Sequence, residues 1–116
     1  MTLESLKQLT DDEIRIKVAV LTGWKDLHWG NQTHPNTMLY GWPPYYDYMT
    51  EFCVPNYPQN LDACYEMEST LTKHQRDRFE YELGVIVGPL RSQWRWHLLH
   101  ATARQRCEAF ILTHEQ

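Results

Sequence analysis

The sequence predicts an α+β domain, a small antiparallel sheet with packed helices. Three observations lead there. First, helix starts are written three times in one form: Thr10-Asp11-Asp12-Glu13, Thr72-Lys73-His74-Gln75 and Thr102-Ala103-Arg104-Gln105. In each, a Thr at the N-cap and a Glu or Gln three residues later can satisfy two orphan amides reciprocally. Second, short alternating stretches near Trp24 to Trp29 and Gln93 to Leu98 read as strands. Third, 116 residues with 42% hydrophobic and 22% charged content suit one globular domain, 1–116, able to bury a core.

The elements follow in order. The first helix is expected from Asp11 to Thr22, with Ile14, Val18 and Leu21 on one face and Gly23 as its C′ residue. A strand follows, with Trp24, Leu27 and Trp29 facing inward. Residues Gly30 to Pro58 hold Pro35, Pro43, Pro44, Pro55 and Pro58, so a long ordered loop system is expected there. A short strand near Glu51 to Val54 joins the sheet. Asn60 then caps a helix carrying Leu61, Cys64, Tyr65 and Leu71 on its inward stripe. Thr72 ends that helix and caps the next after a break of one or two residues. The next helix sets Phe79, Leu83, Ile86 and Val87 on one side and stops before Gly88-Pro89. In the strand Gln93 to Leu98, Trp94, Trp96 and Leu98 share one face, Arg95 and His97 the other. The last helix runs from Ala103 to Thr113, with Ala103, Cys107, Phe110 and Ile111 inward. Trp24, Trp96 and Phe110 are the expected aromatic core.

The chemistry is unevenly distributed. Nine of fifteen aromatics lie between Trp24 and Tyr57, and from Asp26 to Thr72 there is no Lys or Arg. From Leu83 to Cys107 there is no Asp or Glu, but Arg91, Arg95, Arg104 and Arg106 are present with His97 and His100. A ring-rich surface facing an Arg-rich one suits a flat anionic ligand such as a nucleotide. It suits a wet, Tyr-rich protein interface equally well. The net charge of −4 argues against sequence-independent DNA binding. No run of 18 or more apolar residues is present, and MTLESLKQLTDDEIR has no apolar segment of a secretory leader, so a cytoplasmic setting without a membrane is expected. Cys53, Cys64 and Cys107 are expected to be reduced, mostly buried thiols.

Several segments resemble a known family. Pro55-Asn56-Tyr57, Asn60-Leu61-Asp62-Ala63, Glu66-Met67-Glu68 and Leu71-Thr72 with Gln75-Arg76 resemble the middle of small phage and prophage proteins called phage ABA-sandwich domain proteins. His100-Ala101-Thr102-Ala103 with Gln105-Arg106-Cys107-Glu108-Ala109-Phe110 resembles their C-terminal helix. Asp12-Glu13-Ile14, Val18-Ala19 and Gly23-Trp24 resemble their opening. The resemblance departs between Asn31 and Met49. It implies an α/β/α sandwich, with helices on both faces of the sheet, and a phage or prophage origin. It implies no established activity and no catalytic residue.

No catalytic motif is visible, and no cofactor is expected. His97 and His100 have an i, i+3 spacing sometimes seen in metal ligands, but on a strand they point to opposite faces. The cysteines lack an activation signature. Asp47 or Glu51 with His28 or His34 is the one acid/base pairing that composition allows. The candidate ligand-binding set is Trp42, Tyr45, Tyr46, Arg91, Arg95 and Arg104: rings to stack, guanidiniums to hold phosphate, and Arg104 in the first turn of the last helix, where amides favour an anion. Two functions are expected. One is a homo-oligomeric accessory protein that counteracts bacterial defence in the host cytoplasm by sequestering a nucleotide-type immune messenger without chemistry. The other is a protein-directed inhibitor docking Tyr40 to Tyr57 on a host defence enzyme or nuclease, with a hot spot at Trp42, Tyr45 and Tyr46. An enzyme that degrades the messenger ranks third, and a converging His–carboxylate pair would mark it.

Overall fold

The computed structural model describes residues 1–30, 38–44, 51–88 and 98–115. Helix α1 (Leu3–Lys7) was not expected. The Thr2 hydroxyl caps it, accepting from the Ser5 amide at 3.2 Å. Helix α2 (Asp11–Leu21) opens on the Thr10–Glu13 capping box, with both reciprocal bonds formed, at 3.2 and 3.0 Å. It ends at Thr22, and Gly23 turns the chain at φ +100°, where a side chain would be strained.

Strands β1 (Lys25–Trp29), β2 (Leu39–Trp42) and β3 (Phe52–Cys53) form an antiparallel sheet in the order β1-β2-β3. The fold is therefore α+β, as the sequence predicts. A bulge between Lys25 and His28 interrupts the β1–β2 pairing, and Asp26 inside it has φ +54°. An extra residue re-aims the side chains around it. Here it sets both Trp24 and Leu27 over Gly41, where an added Cβ would lie 3.5 and 2.7 Å from them. Trp24 is thus buried and Leu27 half-buried, while Trp29 at the far end is 37% exposed rather than inward.

A 3-10 turn (Tyr57–Gln59) leads into α3 (Leu61–Glu68), whose N-cap Asn60 accepts from the Ala63 amide. The inward stripe of α3 is Ala63, Cys64 and Met67. Leu61 and Tyr65, expected inward, are 44% and 52% exposed. The break to α4 (Lys73–Val87) runs over residues 69–72, longer than the one or two residues expected, and brings Leu71 into the core. Thr72 caps α4 as expected, and the helix stops at Gly88. Helix α5 (Ala103–His114) carries the third capping box. Leu98 and Leu99 form a helical turn, so the strand expected up to Leu98 does not reach that residue; Gln93 to His97 and Trp96 lie outside the described residues.

Helix α5 is the centre of the molecule. Helices α1, α2, α3 and α4 and the 3-10 turn all pack on it. Its Cys107, Ala109, Phe110 and Ile111 are at most 1% exposed. Burying rings and branched chains of this kind stabilises by about 1.5–3 kcal/mol each. The sheet joins this core through Leu39 and Val54, which face each other across β2 and the end of β3 and are fully buried.

Candidate functional site

Strand alternation sorts the sheet into two faces. Leu39, Gly41 and Val54 form the buried one. The outward face is set by the register: His28 on β1 pairs with Tyr40 on β2, and Tyr40 pairs with Cys53 on β3. Residues directly opposite share a face, so His28, Tyr40 and Cys53 form a row across the sheet. Trp42, two residues beyond Tyr40, joins the same face, with Lys25 opposite it on β1. Glu51, two residues before Cys53, joins it as well.

The side chains on this face interact. The His28 and Tyr40 rings stack, with centroids 6.1 Å apart and planes 26° apart. His28 Nε2 donates to Glu51 Oε1 at 2.7 Å. β2 is the central strand, so this bond spans it from one edge of the sheet to the other. The bridge stays accessible: its two side chains are 40% and 36% exposed. The result is an open platform of two stacked rings and an indole, with the His28–Glu51 hydrogen bond across its middle and Lys25 at one edge.

Arg15 holds the platform from below. It is buried on α2 and donates to the carbonyls of Val54 and Pro55, immediately after β3. Its guanidinium also lies 5.9 Å from the centroid of the Trp29 ring on β1. One cation therefore ties both edges of the sheet to the helical core.

The sequence candidates fare unequally. Trp42 lies on the platform. Tyr45, Tyr46, Arg91 and Arg95 lie outside the described residues, as do Asp47, His34 and His97. Arg104 is half-buried and used within the fold. It meets Asp11 at 2.7 Å and Glu108 at 3.3 Å, and donates to the carbonyls of Leu6 and Leu9, both at 2.8 Å. It is a clamp between α1, α2 and α5 rather than a ligand arm. Tyr40 and Lys25 were not among the sequence candidates, nor His28 outside the acid/base pairing, because only a strand register shows that they share a face with Trp42. The His28–Glu51 pairing was among those that composition allowed.

Catalytic readings can be weighed on this geometry. Cys53 and His28 stand on the two outer strands with β2 between them, and the group that meets His28 across β2 is Glu51. Among the described residues no group of three or more His, Cys, Asp or Glu is arranged to hold a metal. Among the described residues, clefts also lie elsewhere. One of about 570 Å³ is lined by Leu71, Phe79, Leu83 and Leu98, with the Glu68–Arg106 ion pair in its wall. Burial raises the Glu68 carboxyl above its ordinary range despite the opposing pull of Arg106. Another, about 700 Å³, is lined by His74, Arg78, Tyr81 and His114 among others. The stacked rings that a planar ligand needs are on the sheet face.

No family model matches this chain, and neither the curated proteins nor the solved structures compared with it gave a match. No described helix is long and apolar enough to cross a membrane.

Proposed function

We propose that this chain is a small phage or prophage accessory protein that counteracts bacterial defence by binding and sequestering a nucleotide-type immune messenger, without catalysis. The observation that carries the binding reading is the outward sheet face, where stacked His28 and Tyr40, Trp42 and Lys25 stand together. Aromatic rings on a sheet offer stacking surface to a base, worth about 1–3 kcal/mol per base, and a cation at the edge meets the phosphate. The phage setting is supported by the resemblance of the segments around Asn60, Thr72 and Thr102. Turnover has an observation of its own, the converging His28–Glu51 pair that would mark an enzyme, and recovery of the ligand decides between the two.

The test is calorimetry with a panel of cyclic and ADP-ribose-type nucleotides, followed by mass spectrometry of ligand released on heating. Tight binding with intact ligand returned supports the reading. Tyr40→Ala and Trp42→Ala should each weaken binding about tenfold or more. A chemically altered ligand makes the protein an enzyme. Failure of every nucleotide to bind sinks the reading.

A further inference from the structure

The cleft walled by α3, α4 and α5 has the makings of a second site. We propose that it binds an α-amino acid with an apolar side chain, the zwitterion held between Arg76 and Glu80 and the side chain among the leucines and Phe79. Among the described residues, none that lines it belongs to a strand, so the inference is independent of the nucleotide reading of the sheet face.

The sequence of α4 builds the site. Arg76, Phe79, Glu80 and Leu83 recur at i, i+3, i+4 and i+7, so one face of the helix carries all four. Each of them lines the cleft, and Leu71 and Leu98 extend its apolar wall. A volume of about 570 Å³, walled mainly by apolar side chains with a few polar groups among them, suits a small molecule. Leu99 also lines it and is 72% exposed, apolar surface that an occupant would take from water. The four charges of the wall divide into two pairs. Glu68 and Arg106 satisfy each other, both carboxylate oxygens accepting from Arg106 Nη1, at 3.0 and 3.2 Å. Arg76 and Glu80 do not, although they stand one helical turn apart. Arg76 instead donates from Nε to the Leu71 carbonyl at 3.3 Å. Among the described residues, neither its terminal nitrogens nor the Glu80 carboxylate has a partner. A free cation and a free anion beside an apolar wall complement an apolar amino acid. Its carboxylate accepts from Arg76, its ammonium donates to Glu80, and its side chain covers the wall. A simple carboxylic acid would be repelled by Glu80, and a simple amine by Arg76.

The experiment is calorimetry of the full chain, at neutral pH and fixed salt, with L-leucine, glycine, N-acetyl-L-leucine and L-leucinamide. Leucine should bind saturably. The acetylated compound lacks the ammonium and the amide lacks the carboxylate, so each should bind at least about tenfold more weakly, as the loss of one charge-assisted contact implies. Glycine, with no side chain to bury, should weaken by a similar factor. Arg76 and Glu80 are both exposed, so their Gln variants should keep the fold. Arg76→Gln should bring leucine and leucinamide within about twofold of each other, and Glu80→Gln should do the same for leucine and its acetylated form. Failure of leucine to bind overturns the inference. So does binding of glycine or either derivative as tightly as leucine, or a leucine preference that survives unchanged in either variant.

Discussion

At the level of single residues, Arg104 shows how one side chain carries two readings. Its place in the first turn of α5 suits an anion-binding arm, and nothing in the neighbouring sequence shows that Asp11, 93 positions away, is its partner. Removing it strands two carbonyls and two carboxylates. Arg104→Ala should destabilise by about 2–3 kcal/mol in denaturant melts and leave nucleotide affinity unchanged. Loss of binding without loss of stability would restore it as a ligand residue. Asp11 makes a related prediction about pH. A hydrogen bond from Gln59, then one from Arg104, lowers its carboxyl below 3.8, the unperturbed value. A depressed folded pKa contributes stability that is present above the unfolded value and is lost as pH falls through the folded one. Melts of the unmodified protein should therefore weaken as pH drops below about 4, and Asp11→Asn should flatten that slope. An unchanged slope would mean that Asp11 does not carry it.

At the level of elements, helix starts were legible and helix faces less so. Thr10, Thr72 and Thr102 all close the boxes that their spacing implies, because a capping box is a local bargain between four consecutive residues. Thr102→Ala should cost about 1 kcal/mol. The stripe of α3 was misassigned at Leu61 and Tyr65 because so short a helix holds too few turns to fix its phase. The sheet was read as strands but not as a surface. That surface depends on the bulge at Asp26 and on which residues of β1, β2 and β3 lie opposite, and both are properties of pairing between distant segments. Gly84 offers a sharper test of an element. It lies inside α4, and among the described residues an added Cβ would meet nothing within 4 Å. Gly84→Ala should stabilise by about 1 kcal/mol. A destabilised variant would mean that something beyond the described residues packs against this helix, and a change in oligomeric state on the same substitution would identify it as a second copy.

At the level of the whole molecule, the core around α5 can be probed through its thiols. Cys64 and Cys107 are fully buried with their sulfurs 4.0 Å apart, where α3 crosses α5, whereas Cys53 is exposed at the edge of the sheet. The Cys64 thiol beside it, and then burial, push the Cys107 thiol far above its ordinary range, so it has no reactive thiolate in the folded state. Helix α5 is the element on which the other helices rest, so exposing Cys107 requires opening most of the fold rather than a local fray. A thiol reagent should therefore label one cysteine quickly and the other two only at the rate and denaturant dependence of global unfolding. Cys53→Ser should remove the fast phase alone. Two fast phases in the native protein would mean that α3 detaches from α5 independently, and that the domain does not unfold as one unit.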